Sequence, residues 1–174
     1  MAGMMAAYWD GTAPGSTAAG WLLALALAWY AVAAVRLAAA DIRTRRLPDA
    51  LVLPSYPVAG LLLSGAALAA GEPGRIAGAV LGAAGLWTGY FLLRLLNPAG
   101  MGFGDVKLAG MLGLYLGFLG AGHVLAGTVA AFVGGGLWGL GLIVFRRGTA
   151  SSTLPFGPFM LLGASAAMLL PALQ

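Results

Sequence analysis

Cysteine is absent from this chain of 174 residues, and acidic side chains are scarce: there are five, against nine basic residues and one histidine. Without cysteine, disulfides, thiolate metal sites and cysteine nucleophiles are excluded. The single histidine, His123, cannot form a zinc site alone. The net charge of +4 does not indicate nucleic-acid binding, because the basic residues are not interleaved with aromatic residues on a polar surface. We predict no metal and no other cofactor.

Charged residues of both signs are rare as well. They make up 8% of the chain and apolar residues 61%, against roughly 25% and 45 to 50% in a typical soluble domain. So few polar residues cannot cover a soluble core of this size, and lipid must cover it instead. The composition therefore predicts an integral membrane protein in contact with lipid.

Six apolar runs have about the length that a helix needs to cross the hydrocarbon, roughly 20 residues. They are residues 20–40, 50–70, 75–96, 105–121, 122–145 and 154–173. Connections with turn-forming or charged residues separate them. We therefore predict an all-α polytopic membrane protein, with six transmembrane helices in a domain of residues 20–174. An extracytoplasmic segment, residues 1–19, precedes this domain, and the sequence leaves open whether it is ordered.

The basic residues are divided unequally between the two sides of the predicted bundle. Eight of the nine lie at the first, third and fifth connections, and only Arg75 lies on the other side. Because connections rich in lysine and arginine stay in the cytoplasm, we predict that these three are cytoplasmic and that both termini are outside. Residues 1–19 contain no lysine or arginine and lack the basic region of a signal peptide.

Two carboxylates stand at the ends of predicted spans. Asp41 closes the first span and Asp105 opens the fourth, which places both at the cytoplasmic side. An ionisable residue at membrane depth is costly and is a functional candidate by default. Two carboxylates within hydrogen-bond distance share a proton, because like charges so close cannot both ionise. One then acts on water as a general base, while the other polarises a carbonyl and protonates the leaving amine.

Asp105 ends the tetrapeptide Gly102-Phe103-Gly104-Asp105. We expect the two glycines to adopt backbone angles closed to other residues and to leave room for a peptide. Free N–H groups at the start of a helix favour an ionised Asp105. Asp41 is at a helix C-terminus, so we expect it to hold the proton of a pair that titrates jointly. The pairs Gly78/Gly82, Gly85/Gly89, Gly113/Gly117 and Gly135/Gly139 have the spacing of closely packed membrane helices, which predicts tight packing in general.

Three segments together resemble the type IV prepilin peptidases, the GxGD membrane aspartic peptidases of bacteria and archaea. Residues 41–49 (DIRTRRLPD) resemble the first aspartate motif of that family, residues 102–108 (GFGDVKL) its GxGD motif, and residues 154–158 (LPFGP) its late proline and glycine segment. The resemblance extends from about residue 20 onward. It implies an aspartic endopeptidase with Asp41 and Asp105 as the catalytic pair. The motif residues that would support this pair are Gly102, Gly104, Lys107, Asp49, Pro48, Pro155, Gly157 and Pro158.

The resemblance also implies a substrate. Family members cleave short basic leader peptides from prepilins or pseudopilins, the proteins of type IV pili and related protein secretion systems, at the cytoplasmic face of the inner cell membrane. Many of them have Ile-Pro-Asn where this chain has Leu47-Pro48-Asp49. Bifunctional members carry a cysteine-rich segment before the first aspartate and also methylate the new N-terminus. This chain has no cysteine and no room for that segment, so we do not expect N-methyltransferase activity.

Several of these residues also have a purely structural explanation. Asp is a preferred N-cap residue, and we favour Asp49 as the cap of the second helix. Lys107 fits snorkelling to the interface as well as a role beside Asp105. Residues 156–158 fit the start of the sixth helix, with a role near the site equally open. We predict that His123 is an interfacial residue on the outer side.

Two alternatives concern the aspartates themselves. They can be interfacial carboxylates paired with nearby arginines, a common structural use of charge at helix ends. The alternative function is a small transporter or channel in which Asp41 and Asp105 bind cations or relay protons. Transporters tend to have repeated halves and charges near the middle of the membrane, and neither feature is evident here.

Overall fold

The computed structural model of the chain describes Tyr8 and residues 16–98, 100–145 and 155–171. Six helices of thirteen or more residues form in this part of the chain: α1 (Ser16–Thr44), α2 (Asp49–Ala69), α3 (Gly74–Leu96), α4 (Phe103–Leu119), α5 (Ala121–Val144) and α6 (Gly157–Leu169). A helix satisfies its backbone polar groups internally, as the bilayer core requires. The prediction of an all-α polytopic membrane protein is confirmed.

Each predicted span overlaps one helix, but the ends differ. The largest extension is in α1, whose 29 residues correspond to about 43 Å at a rise of 1.5 Å per residue. This is longer than the hydrocarbon core, so the last turns of α1 can project beyond it. The exposed Arg36 and Arg43 lie in these turns. Arg146, Arg147 and Leu154 lie outside the described residues, as do residues 1–7 and 9–15 of the predicted N-terminal segment.

Four of the helices, α1, α2, α3 and α5, are long and apolar enough to cross a membrane. Helix α4 has 17 residues and α6 has 13, fewer than the roughly 20 of a typical span. That all six helices cross the membrane, and that the termini lie outside, therefore stay predictions.

Helix α4 lies at the centre of the bundle. Twelve of its residues, between Val106 and Phe118, are buried, and it contacts α2, α3, α5 and α6. Tyr115 also donates a hydrogen bond to the carbonyl oxygen of Ala26 in α1, at 3.1 Å. A helix that is apolar on every side is typical of this position. The helices around it supply the lipid-facing surface, which carries exposed large apolar residues such as Leu61 and Leu81.

Facing glycines bring α3 and α4 into backbone contact. A methyl group on Gly82 would lie 2.5 Å from the carbonyl oxygen of Gly113, and one on Gly78 would lie 2.6 Å from that of Gly117. The backbones can approach this closely only because neither helix carries side chains at the contact. By contrast, the Gly85/Gly89 pair has no atom within 4 Å of its added methyl groups. The prediction of tight packing is confirmed, and the structure assigns it to particular pairs.

The other end of the bundle, away from Asp41, is joined by polar contacts. Arg75, in the first turn of α3, donates to Glu72 at 2.5 Å and to the carbonyl oxygen of Phe118, at the end of α4, at 3.3 Å. Tyr8 donates to the same glutamate at 2.5 Å. His123, near the start of α5, lies at this end but is 2% exposed. The end of α6 accounts for this burial, because the backbone of Leu170 interacts with His123. The position of His123 at the outer membrane interface stays a prediction.

Candidate active site

Asp41 lies three residues before the end of α1 and is only 5% exposed. Its Oδ2 atom accepts a hydrogen bond from the backbone N–H of Gly157, at 2.9 Å. Gly157 is the first residue of α6, and N–H groups of a first helical turn have no partner within their helix. The carboxylate of α1 thus supplies a partner that α6 lacks, and the first and last helices meet at Asp41.

The late proline and glycine segment, residues 154–158, allows Gly157 to approach Asp41 closely. A methyl group on Gly157 would lie 2.7 Å from Oδ2 of Asp41, so a larger residue would displace the carboxylate. Pro158 lies in the first turn of α6, where a missing N–H costs nothing, and Pro155 lies just before the helix. Both explanations of this segment hold: it starts the sixth helix, and it touches a catalytic candidate.

Asp105 begins α4 together with the glycines of its motif. Gly102 is the N-cap residue, and its N–H donates to Oδ2 of Asp105 at 3.0 Å. A side chain three residues after the N-cap that accepts from the N-cap N–H is half of a capping box. Gly102 and Asp105 in the motif are thus three residues apart, as a capping box requires. The N-cap N–H at the start of α4 holds the Asp105 carboxylate in place.

The motif glycines have ordinary backbone angles, and Gly104 is needed for space. Gly102 has φ −71° and ψ 152°, which any residue can adopt, and Gly104 lies within α4. The expectation of angles closed to other residues is wrong. A methyl group on Gly104 would instead lie 2.9 Å from Cβ of Leu47. Gly104 lets the segment that follows Asp41 pack directly on the start of α4.

Asp41 and Asp105 lie at the same end of the bundle, and they are near enough for their charges to interact. Asp105 is half-buried. Asp41 sits near the C-terminus of its own helix but at the N-terminus of α6, so both carboxylates face a helix N-terminus. The N-terminus of α6 offsets the unfavourable dipole of α1 at Asp41, so the argument for Asp41 as the proton holder is weakened, and the order of protonation stays a prediction.

Asp49 and Lys107 also come together at this end. The Nζ atom of Lys107 lies 2.8 Å from Oδ1 and 2.7 Å from Oδ2 of Asp49. Pro48 is the N-cap residue of α2, Asp49 is the first residue of the helix, and there is no side-chain capping bond. The prediction that Asp49 caps α2 is wrong, because Pro48 occupies the cap position and the carboxylate turns to the lysine.

Aromatic residues lie around the site, and one of them, Tyr90, was not a candidate from the sequence. The ring centre of Phe103 lies 5.3 Å from Cζ of Arg94 and 5.0 Å from Nζ of Lys107, distances typical of cation–π contacts. Tyr90 of α3 is buried, and its ring centre lies 6.4 Å from that of Phe156. The sequence held no signal for Tyr90, since aromatic residues in apolar helices more often face lipid or fill the core.

The arrangement suits acid and base chemistry by two carboxyl groups. Among the described residues, the hydrogen bonds of both carboxylates use Oδ2, which leaves Oδ1 of each for water or a substrate carbonyl. No group of three or more histidine, aspartate or glutamate side chains in the described ranges is placed to hold a metal ion.

Comparison with known proteins gives one consistent result. The sequence pattern of the type IV leader peptidase family matches residues 24–173. A prepilin leader peptidase/N-methyltransferase of Pseudomonas putida is 35% identical over 150 residues, which cover 85% of this chain and 49% of the relative. One of Aeromonas hydrophila is 38% identical over 159 residues, 87% of this chain and 51% of the relative. One of Burkholderia pseudomallei (strain 1026b) is 35% identical over 148 residues, 83% and 46%.

The chain spans about half the length of the curated relatives it matches. No solved structure matches it. Nothing in these similarities supports the transporter alternative. The family match includes both aspartates and the segment around Gly157, the residues that the structure brings to one end of the bundle, and the chain belongs to the type IV leader peptidase family.

Proposed function

We propose that this protein is an aspartic endopeptidase that removes the leader peptide from type IV prepilins or pseudopilins. The observation that carries the proposal is the pair of carboxylates, Asp41 and Asp105, each held through Oδ2 by the backbone of a helix N-terminus at one end of the bundle. Membership of the leader peptidase family supports the same function. The relatives from Pseudomonas putida and Aeromonas hydrophila are named prepilin leader peptidase/N-methyltransferase.

In the proposed reaction one carboxylate takes a proton from water, and the resulting hydroxide attacks the carbonyl carbon of the scissile peptide bond. The other carboxyl group, protonated at the start, donates its proton to the carbonyl oxygen. When the tetrahedral intermediate collapses, the C–N bond breaks and the departing amine takes a proton from the carboxyl group that became protonated in the first step. The other carboxylate takes back a proton from a hydroxyl group of the intermediate, which restores the starting protonation state of the pair. The products are a free carboxylate on the leader and a free amine on the mature protein.

We further propose that the site faces the cytoplasm at the inner membrane, in contact with lipid, and that the apolar helix of the substrate enters sideways from the bilayer. Arg43 and Arg46, exposed beside Asp41, support this side of the membrane through the charge bias of cytoplasmic connections. An apolar substrate helix fits an active site at the helix ends, where the bilayer meets water.

The cleavage activity is tested with the purified full chain in detergent and a panel of candidate prepilins, with the products identified by mass spectrometry. We expect two products whose masses add up to that of the prepilin plus one water. The control is a chain with both Asp41→Asn and Asp105→Asn. Cleavage that persists in this double variant, or no cleavage of any candidate by the natural chain, would overturn the proposal. Adding a methyl donor to the assay tests whether the mature product also gains a methyl group, which we do not expect.

The orientation is tested by labelling single introduced cysteines, since the natural chain has none. We expect an impermeant thiol reagent to reach Gly74→Cys from outside the cell and Arg43→Cys only after the membrane is opened. Both positions are exposed in the structure, and an added methyl group at Gly74 has no atom within 4 Å. Labelling of position 43 in intact cells would contradict the proposed orientation.

A further inference from the structure

The two aspartates belong to segments that touch at three further points. Leu47 packs against Gly104, Asp49 pairs with Lys107, and Tyr56 donates to the carbonyl oxygen of Lys107 at 2.5 Å. Leu47, Asp49 and Tyr56 follow Asp41 in the chain, whereas Gly104 and Lys107 flank Asp105. Of the three contacts, only the ion pair joins two charged side chains.

The ion pair holds both of its partners in a defined geometry. Both oxygens of the Asp49 carboxylate lie within 2.8 Å of the ammonium group. The lysine side chain is 21% exposed, and Phe103 packs against its Nζ atom on α4. The contact with Phe103 restricts the Lys107 side chain. The ion pair therefore holds Asp49 beside α4, at a position two residues after Asp105.

Neither capping nor snorkelling explains this arrangement. The capping position of α2 is taken by Pro48, and a snorkelling lysine needs only water at its end. The Asp49 side chain is 57% exposed, so the pair contributes little to the free energy of unfolding. The pair can affect the reaction rate more strongly than it affects stability, because a shift of about 1 Å between reacting groups can lower a rate by up to about 10²-fold.

We propose that the Asp49–Lys107 ion pair sets the distance between the segments that carry Asp41 and Asp105, so that Asp49 and Lys107 are positioning residues for the cleavage. The inference rests on the proposed peptidase function. In this proposal the partner of the Asp49 carboxylate is Lys107 of the same chain, and not a basic residue of the leader peptide.

The test measures kcat and KM for four variants: Asp49→Asn, Asp49→Lys, the reversed pair Asp49→Lys with Lys107→Glu, and the control Glu72→Gln. We expect Asp49→Asn to lower kcat about tenfold and to change KM by less than about twofold. Asp49→Lys should lower kcat further, since it places like charges together, and the reversed pair should restore much of the loss. Glu72→Gln removes a paired carboxylate at the other end of the bundle and should leave kcat unchanged.

Three outcomes would overturn the inference: kcat unchanged in both single variants, a rise in KM without a fall in kcat, or a reversed pair no more active than Asp49→Lys. The second of these would indicate contact with the substrate instead.

A readout without activity separates this inference from the proposed function. Spin labels on Arg43→Cys and Met101→Cys report the distance between the end of α1 and the start of α4. We expect one narrow distance distribution in the otherwise natural chain, a broader one with Asp49→Asn, and a narrow one again with the reversed pair. An equally narrow distribution in all three would overturn the positioning role, whether or not a prepilin is cleaved.

Discussion

Replacing either Asp41 or Asp105 alone with asparagine is expected to lower the rate of leader cleavage by at least about 10³-fold. Asparagine keeps the size of the side chain, and its carbonyl oxygen can still accept the backbone hydrogen bond from Gly157 or Gly102. It cannot take a proton from water or hand one to the substrate. The loss should therefore appear in kcat, with substrate binding and the folded helix content retained. Product formation followed by mass spectrometry gives the rate, and circular dichroism checks the fold.

A matched pair of controls separates chemistry from geometry. Asp105→Glu keeps the acid but moves it by one methylene group, and misplacement of about 1 Å can cost up to about 10²-fold. We therefore expect partial activity, above that of Asp105→Asn. Asp49→Asn makes the same chemical change at a carboxylate of the same cluster and should cost much less. Full activity in either Asp41→Asn or Asp105→Asn would reject a two-carboxylate mechanism, even if the other variant were inactive.

The sequence predicted the helices and the catalytic candidates through two strong signals. Apolar runs separated by polar connections place α1 to α6 within a few residues, because the bilayer dictates the length of a span. Rare charges at the ends of two runs single out Asp41 and Asp105. Alternation of the spans then puts both at one end, where the structure also has them.

The detailed contacts were beyond the sequence because they depend on packing between distant segments. The Gly157 contact with Asp41 joins residues 116 positions apart, and only the spatial arrangement of α1 and α6 creates it. The argument for an asymmetry between the two aspartates was incomplete for this reason: the helix to which Asp41 belongs was known, but the helix that faces it was not. Asp49 was placed at a cap by local rules, whereas its partner, Lys107, is 58 positions away.

Substituting valine for Gly82 is expected to destabilise the bundle by at least about 2 kcal/mol, since overpacking of a tight contact typically costs 1 to 3 kcal/mol and occasionally more. The Cβ atom alone would lie 2.5 Å from the Gly113 carbonyl oxygen and 2.7 Å from Cα of Gly117. Both are backbone atoms, so relief requires α3 and α4 to separate. Because α4 begins with the Asp105 motif, the separation should also lower cleavage activity.

The matched control is Gly89→Val, two turns further along the same helix. Gly89 is exposed, and a Cβ atom there has no neighbour within 4 Å, so we expect a change of less than about 0.5 kcal/mol, as for most surface substitutions. Unfolding in detergent, followed by circular dichroism, compares the two variants with the natural chain. Equal stability of Gly82→Val and Gly89→Val would mean that the backbone contact between α3 and α4 does not hold the bundle together. A selective loss at Gly82 would show that the small residues of α3 keep the central helix, and with it Asp105, in place.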